Sequence, residues 1–317
     1  MRGKIIFELC GCTAASILLF FAAVWIPFVS FFALFLAPMP VMILTRRYGL
    51  RVGLLCSAAA ASLVVSAVGI VPALLYVFEF ALLGSLFGTI LAKSQTGGDF
   101  AFAAIGCSAA VKTALMALFI FLTGSNPFIV SHEAAGEIVK SVAAAISQTG
   151  SSVPQSEITE YANVLYSTVS SMLPAMFLLF SAADTLVNYF AAKVYFAKDD
   201  TIKLPQLPPF GEWRFPKDVF WALFAALLLD IAGRMGHYSA AAIVSLNIME
   251  VLRGIFVVEG ISLVWSIAGR THAPAFLRLP TAFLCAVVPP LSYVVSILGV
   301  FDIWYDLRNK ITLWRDK

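Results

Sequence analysis

The feature that most constrains this sequence is a repeated apolar run of about 20 residues. At a rise of about 1.5 Å per residue, a helical run of that length crosses the hydrocarbon core of a bilayer, which is about 30 Å thick. Hydrophobic residues make up 61% of the 317 residues and charged residues only 12%, about half the share that is usual in a soluble domain. The sequence therefore predicts an all-α fold, a polytopic transmembrane helical bundle.

Prolines, glycines and charged turns separate the apolar runs, and we expect about nine spans. The predicted spans are Ile5 to Ile26, Phe28 to Thr45, Val52 to Val68, Ile70 to Ala92, Ala101 to Leu122, Ser170 to Tyr195, Val219 to Ala232, Ala240 to Ala268 and Thr281 to Val300. The second span contains Pro38 and Pro40, and the ninth contains Pro289 and Pro290. Because proline cannot donate to the helical hydrogen-bond ladder, we expect a kink or a break at both places.

The spans group into three predicted regions. Residues 1–195 form a bundle of six spans, residues 196–217 a cytoplasmic loop that is rich in proline, and residues 218–317 a segment of two to three spans with an interfacial tail. The aromatic and charged residues of that tail, which begins at Phe301, are typical of a helix at the membrane–water interface.

The one long polar stretch, residues 124–168, predicts two amphipathic helices on the outer side of the membrane. Apolar residues recur there at helical spacing, with Ala135, Ile138, Val142 and Ile146 on the apolar face of the first helix and Ser131 as its N-cap. The two helices either form a lid over a pocket or rest on the membrane surface.

The distribution of lysine and arginine predicts the orientation. With the N-terminus inside, the cytoplasmic segments hold 13 of these residues and the outer segments hold two, Lys140 and Arg234. This bias places the N-terminus in the cytoplasm of a bacterial inner membrane. Nine crossings would put Arg308 and Lys310 outside, against the same rule. Either the segment around Pro289 is re-entrant, or the final span violates the rule.

Three predicted spans carry an ionisable residue near their middle, namely Glu79, Lys112 and Asp184. An ionised group at the bilayer centre costs at least about 2.5 kcal/mol, so it normally faces a partner or a wet cavity. We expect the three around one polar pocket, with Asn188 four residues after Asp184 on the same helix face. Lys112 would neutralise one carboxylate and leave the other for a cationic or polar ligand. The alternative is a buried triad that only fixes helix packing.

Two pairs of small residues at a spacing of four predict close helix approach. Gly11 with Ala15 lies in the first span, and Gly84 with Gly88 lies in the fourth. Small residues at this spacing let two helix backbones come together in a membrane. We interpret Gly84 and Gly88 as packing within the chain.

Two further pairs of opposite charges have helical spacing. Glu250 and Arg253 are three residues apart in the eighth span, and Asp230 and Arg234 are four apart at the end of the seventh. Residues at these spacings are neighbours on a helix surface and can neutralise each other. We interpret both as structural ion pairs, and a transport role for Glu250 and Arg253 is the alternative.

Several functional classes lack their motifs. There is no HExxH, no GxSxG and no glycine-rich phosphate loop, and the three histidines, His132, His237 and His272, are far apart. The five cysteines fall inside apolar segments, where they behave as small hydrophobic residues. We expect no catalysis, no metal and no cofactor. We also expect no nucleic acid partner, because basic residues at helix ends are explained by orientation.

Four strings that mix prolines, acids and aromatics are less generic than apolar repeats. They are APMPVMILTRRYG at residues 37–49, LYVFEF at 75–80, PPFGEW at 208–213 and LGVFDIWYDLR at 298–308. In these strings the chain resembles the YybS-like family of predicted bacterial membrane proteins. That family is distantly similar to the six-helix S components, the substrate-binding subunits of energy-coupling-factor vitamin transporters.

The resemblance implies an S-component-like bundle for the first six spans. Gly11 and Ala15 would stand where S components carry the small-residue motif that meets the transmembrane coupling subunit. The pocket would open outward among the fourth to sixth spans. The chain departs from the S-component pattern in having extra spans and in having glycine and alanine in place of two alanines.

These observations lead to two hypotheses. The first is an inner-membrane protein that binds a small polar solute at mid-membrane depth as part of an uptake system. The second is a membrane scaffold or assembly protein that holds a partner without transport. The partners implied are the lipid bilayer, a small-molecule solute and a membrane protein.

Overall fold

The computed structural model describes residues 2–124, 132–147, 154–236, 238–270, 274–308 and 310, and the regular elements within these ranges are helices. They are α1 (Arg2–Trp25), α2 (Pro27–Leu36), α3 (Met39–Tyr48), α4 (Leu50–Val68), α5 (Ile70–Leu75), a π-helical segment (Tyr76–Leu82), α6 (Leu83–Lys93), α7 (Gly97–Thr123), α8 (His132–Ser147), α9 (Gln155–Ser171), α10 (Leu173–Tyr195), a short 3₁₀ turn (Phe210–Glu212), α11 (Val219–Met235), α12 (Ser239–Arg270), α13 (Ala275–Val287) and α14 (Pro289–Tyr305). The predicted all-α class is confirmed.

Seven helical stretches in the described ranges are long and apolar enough to cross a bilayer, and α13 with α14 would make an eighth as one bent span. We predicted about nine, and the difference lies in the last third of the chain. Helix α11 has 17 residues, a length of about 25 Å that is at the lower limit for a span. The axes of α13 and α14 differ by 98°.

Both predicted proline breaks occur. Helix α2 ends at Leu36 and α3 begins at Met39, so the second predicted span is two helices around Pro38. Helix α13 ends at Val287 and α14 begins at Pro289. Each proline lacks the N–H that would bond to the carbonyl four residues earlier, so the ladder is interrupted at both positions.

The fourth predicted span is less regular than its sequence implies. Between α5 and α6 the backbone forms seven residues of π-helix, and Glu79 lies at the centre of that segment. A π-helical segment is rare and is found frequently at functional sites. The apolar pattern alone did not predict it.

The described residues divide into two compact units. The first comprises Met1–Ile129 and Met176–Leu207, and the second comprises Val130–Ala175 and Pro208–Lys317. The core of the first unit contains fully buried aromatic rings, Phe20, Tyr76, Phe80, Phe87, Phe100 and Tyr189. A core cluster of the second unit consists of Val257, Ile261, Cys285 and Val295. Our three-region division of the chain stays a prediction.

Glycines allow α6 to approach α3 closely. A Cβ added at Gly84 would lie 2.6 Å from the carbonyl oxygen of Pro38, and one at Gly88 would lie 2.5 Å from the Cβ of Thr45. Only a residue without a side chain fits at such distances, as expected for small-residue packing in membranes. By contrast, no described atom lies within 4 Å of a Cβ added at Gly11, and Ala15 is also exposed.

The polar stretch forms the two expected helices, α8 and α9, which pack on each other. The buried face of α8 agrees with the predicted one at Ala135 but not at Ile138 and Val142. Ala135 and Ala143 are buried, whereas Ile138 and Val142 are 47% and 53% exposed. Two alanines, and not the larger apolar side chains, therefore lie on the buried face of α8. The predicted N-cap Ser131 lies outside the described residues, and the lid role stays a prediction.

Candidate functional site

The candidate site lies near the middle of three long helical stretches. Glu79 is the tenth of the 24 residues of Ile70–Lys93, Lys112 is the sixteenth of the 27 of Gly97–Thr123, and Asp184 is the twelfth of the 23 of Leu173–Tyr195. A central position on a stretch that spans the bilayer corresponds to mid-membrane depth. The three residues therefore lie at similar depths.

The ammonium group of Lys112 joins the two carboxylates. Its Nζ donates to Oε2 of Glu79 at 3.1 Å and to Oγ of Ser108 at 3.0 Å. It also makes a short contact with Oδ2 of Asp184. A lysine has three N–H donors, and these three acceptors use all of them. Ser108, which sequence reasoning did not identify, donates in turn to Oδ2 of Asp184 at 3.2 Å.

Asn188 lies beside this group but does not contact the carboxylates. Its Nδ2 donates to the backbone carbonyls of Asp184 at 2.8 Å and Phe35 at 2.9 Å, which fastens α10 to the end of α2. Its Oδ1 is buried and accepts no hydrogen bond from the described residues. Oγ1 of Thr185 is also buried, and it neither donates a hydrogen bond to the described residues nor accepts one from them. Burying an unpaired polar atom costs about 1–3 kcal/mol.

The charge of the site is unbalanced. Two carboxylates face one ammonium, so the group carries a net charge of −1 when all three are ionised. The hydrogen bonds from the described residues go to Oε2 of Glu79 and Oδ2 of Asp184, and neither Oε1 nor Oδ1 receives one. The side chains of Glu79 and Lys112 are 12% and 11% exposed. The site is buried, not fully sealed, and rich in acceptors.

A second buried charge cluster, in the second unit, was missed by sequence reasoning. Arg308 donates to Asp302 from Nε at 3.0 Å and from Nη2 at 2.8 Å, and to Glu259 from Nη2 at 3.2 Å. Both carboxylates use both oxygens, because the backbone N–H of Phe215 bonds to Glu259 at 2.9 Å and that of Arg308 bonds to Asp302 at 3.1 Å. All three side chains are at most 3% exposed.

The geometry of the chain after α14 explains why this cluster was missed. We predicted an interfacial helix there, but α14 ends at Tyr305, and Asp306 adopts φ 52°. Aspartate tolerates this left-handed conformation better than most residues. The turn redirects the chain so that Arg308 returns to the interior, where it is 3% exposed. The one signal for this cluster in the sequence was Glu259, an acid within an apolar segment that has no basic residue three or four positions away.

Both predicted structural ion pairs form. Arg253 makes a short contact with Glu250, and Nε of Arg234 lies 2.8 Å from Oδ2 of Asp230. The Arg234 side chain is 78% exposed, so that pair contributes little to stability.

A third charged group joins three segments at one end of the first unit. Arg47 donates to both oxygens of Glu8 at 2.9 and 2.8 Å and to Asp199 at 2.5 Å. The Thr201 hydroxyl and the Arg47 guanidinium lower the pKa of the Asp199 carboxyl below its ordinary value. The ends of α1, α3 and α10 that these residues mark therefore lie on the same side of the membrane.

The comparisons with known proteins bear on the chain as a whole. A family model described as "Predicted membrane protein (DUF2232)" matches residues 14–303. The chain belongs to that family. It is also 23% identical over 294 residues to the uncharacterized protein YybS of Bacillus subtilis strain 168, across 91% of this chain and 92% of that protein. No solved structure matches the chain. The resemblance to the YybS-like family is confirmed, and the resemblance to S components stays a prediction.

Proposed function

We propose that this integral membrane protein binds a small polar or cationic solute at mid-membrane depth as part of an uptake system, without catalysis. The site comprises Glu79, Lys112, Asp184 and Asn188. The observation that carries the proposal is the net charge of −1 on a buried group in which one oxygen of each carboxylate accepts no hydrogen bond from the described residues. A charge of this kind is costly in a membrane, and a ligand that donates hydrogen bonds would offset that cost.

The chemistry of the site favours a ligand that donates hydrogen bonds. The ammonium of Lys112 is fully used by its three acceptors, so it holds the carboxylates in place and has no donor left for an anion. Oε1 of Glu79 and Oδ1 of Asp184 are acceptors, and Oδ1 of Asn188 is a third acceptor on the same helix face. A cationic or hydroxyl-bearing solute suits this set.

The π-helical segment supports the same conclusion. It interrupts the regular ladder of the stretch that carries Glu79, and interrupted helices are a frequent device at the midplane sites of transporters. The orientation we propose has the N-terminus in the cytoplasm of a bacterial inner membrane, because 13 basic residues then lie inside.

The exposed pair Gly11 and Ala15 fits contact with a membrane protein partner. No described atom lies near a Cβ built on Gly11, so this face of α1 is open to another helix. This part of the proposal depends on the likeness to S components, whose equivalent motif meets the coupling subunit.

A structural role is the second candidate, and one specific observation favours it. Lys112 satisfies its donors entirely within the protein, as a triad that only fixes helix packing would do. In that case the protein would be a scaffold, and the excess carboxylate would carry a proton in place of a ligand.

The test is mass spectrometry of the small molecules and proteins that co-purify in mild detergent. We expect a polar or cationic small molecule with the wild type and its loss from Glu79→Gln, while the two proteins melt at the same temperature. The glutamine amide would keep a carbonyl for Lys112 and remove the excess charge.

The matched control is Glu250→Gln, which removes another carboxylate from a long apolar helix and should leave the bound molecule in place. Equal recovery of the molecule from wild type and Glu79→Gln would contradict the site. A co-purifying protein with no small molecule would favour the scaffold.

A further inference from the structure

The contacts of α13 with α12 determine the direction in which α13 runs. Near its beginning, Nη1 of Arg278 lies 3.4 Å from where a Cβ of Gly269 would be. Near its end, Cys285 packs in one cluster with Ile261. Residue numbers along α12 fall as those of the contacting residues along α13 rise, so the two helices run in opposite senses. A small apolar cavity lies between them, lined by Ile261, Trp265 and Ala268 of α12 and Leu277, Thr281 and Cys285 of α13.

The contacts of α14 with α12 run the other way. Ser292 lies 3.5 Å from Nη1 of Arg253, and Gly260 leaves no room for a Cβ beside the carbonyl of Val295, which would be 2.0 Å away. Beyond the end of α14, Arg308 bonds to Ser262 at 3.2 Å, and its own carbonyl accepts from Arg270 at 2.9 Å. Residue numbers of the contacting residues rise together on both helices, so α14 runs in the same sense as α12.

Together the two helices therefore form an open hairpin against one half of α12, with 98° between their axes. Both ends of the hairpin lie toward the C-terminal end of α12, and its tip lies at the level of Arg253, the fifteenth of the 32 residues of that helix. The tip suits a position deep in the protein. Val288 donates to the carbonyl of Leu284, and its own carbonyl accepts from Ser292. Pro289 and Pro290 have no N–H to leave unpaired.

The chain after α14 also contacts the loop that precedes α11. Arg308 donates to the carbonyl of Gly211 at 2.5 Å, and Arg214 forms an ion pair with Asp306 at 2.8 Å. Ser245 of α12 donates to the carbonyl of Ala226 at 2.7 Å, and Phe215, just before α11, donates to Glu259 at 2.9 Å. Helices α11 and α12 therefore run in opposite senses, and the contacts of residues 306–308 place them on the side where α11 begins and α12 ends.

We infer that α13 and α14 form a re-entrant hairpin, which enters and leaves the bilayer on the side of the loop at residues 208–217. The chain then crosses eight times, through six spans before residue 196 followed by α11 and α12. Arg308 and Lys310 join the basic side of the membrane, and the conflict with the positive-inside rule disappears. The inference is independent of the proposed solute site.

The test compares three single cysteines in a variant whose five natural cysteines are replaced by serine or alanine. Lys217→Cys lies in the loop before α11, Tyr238→Cys lies between α11 and α12, and Lys310→Cys lies after α14. All three positions are exposed. Intact and permeabilised cells are treated with a membrane-impermeant maleimide, and labelling in denaturant shows that each cysteine reacts.

We expect Lys310→Cys to follow Lys217→Cys, with both labelled from the side opposite to Tyr238→Cys. Labelling of Lys310→Cys together with Tyr238→Cys would overturn the hairpin, because α13 and α14 would then cross the membrane. A second measurement uses Arg214→Cys with Asp306→Cys and a short bifunctional maleimide. Cross-linking within one chain supports the hairpin, and its absence in well-folded protein contradicts it.

Discussion

The two buried charge clusters have the same formal composition, one cation and two carboxylates, but differ in how completely their atoms are paired. In the first unit Lys112 holds one oxygen of each carboxylate. In the second unit Arg308, with two backbone N–H groups, occupies both oxygens of Glu259 and of Asp302. The difference teaches that burial of charge alone does not identify a site. The proposal of a solute site therefore depends on the unpaired acceptors of the first cluster.

The choice of cation explains much of this difference. An arginine guanidinium has five donors in a rigid planar fork, and a lysine ammonium has three donors on a flexible stem. Arg308 also donates to Gly211 and Ser262, so it joins the loop before α11 to α12 and α14. Lys112 joins only the carboxylates and a serine on its own helix. We therefore expect the second cluster to be a structural lock, that is, a group whose loss strongly destabilises the fold. We expect substitutions in the first cluster to be less destabilising.

The largest expected effect is on Arg308. Replacing it in Arg308→Met leaves two carboxylates buried without their cation, and breaking such a buried pair costs about 3–5 kcal/mol. Reversible unfolding in detergent micelles should report this loss of free energy. Lys310→Met, which removes an exposed cation two residues away, is the control and should change stability by less than about 0.5 kcal/mol. A loss under about 1 kcal/mol for Arg308→Met would show that the cluster is not a lock.

Lys112→Met should have a smaller effect, although it removes the only cation among the described residues that pairs with Glu79 and Asp184. Its partners are 12% and 7% exposed, against 1% for Glu259 and Asp302. They are therefore less completely buried, and we expect a loss of about 1–3 kcal/mol in the same unfolding measurement. The comparison with Arg308→Met is the informative quantity. If Lys112→Met were the more destabilising variant, the first cluster would be the lock and the solute proposal would lose its basis.

The smallest expected effects come from amide substitutions at the carboxylates. In Glu79→Gln the new NH₂ group can occupy the position of the oxygen that accepts no bond, so stability should change by less than about 0.5 kcal/mol. In Asp302→Asn the NH₂ group must face an N–H of Arg308, which leaves two donors opposed and costs about 1–3 kcal/mol. Melting temperatures of both variants beside wild type test the pair. Equal shifts would mean that the two clusters do not differ in pairing.

Much of the fold follows from the order of residues. The lengths of the apolar runs predicted the long helices, because an unpaired backbone group in lipid costs several kcal/mol and only helices or closed barrels avoid that cost. The breaks at Pro38 and at Pro289 followed from the missing N–H. Glycine spacing predicted a close helix approach at Gly84 and Gly88, and the structure shows that α6 approaches α3 there. These features depend on neighbours within a few residues of each other.

The site was only partly predictable for a physical reason. Glu79, Lys112 and Asp184 were singled out because charges are rare in apolar helices, and the structure brings them together. Ser108 was not, because a serine within a helix commonly bonds to its own backbone. The partner of Glu259 was not found either, because a left-handed residue at Asp306 turns Arg308 back into the protein.

Four strings that mix prolines, acids and aromatics indicated the family to which this protein belongs. Apolar length and proline position were enough to establish a helical membrane protein. They act locally, since each depends on whether a short segment can satisfy its backbone in lipid. The pairing of charges is different, because it depends on how each helix is rotated about its axis and on local shifts such as the π-helical segment. Those quantities arise from packing between helices distant in the chain, and so the contrast between an incompletely paired trio and a closed arginine cluster became apparent only in three dimensions.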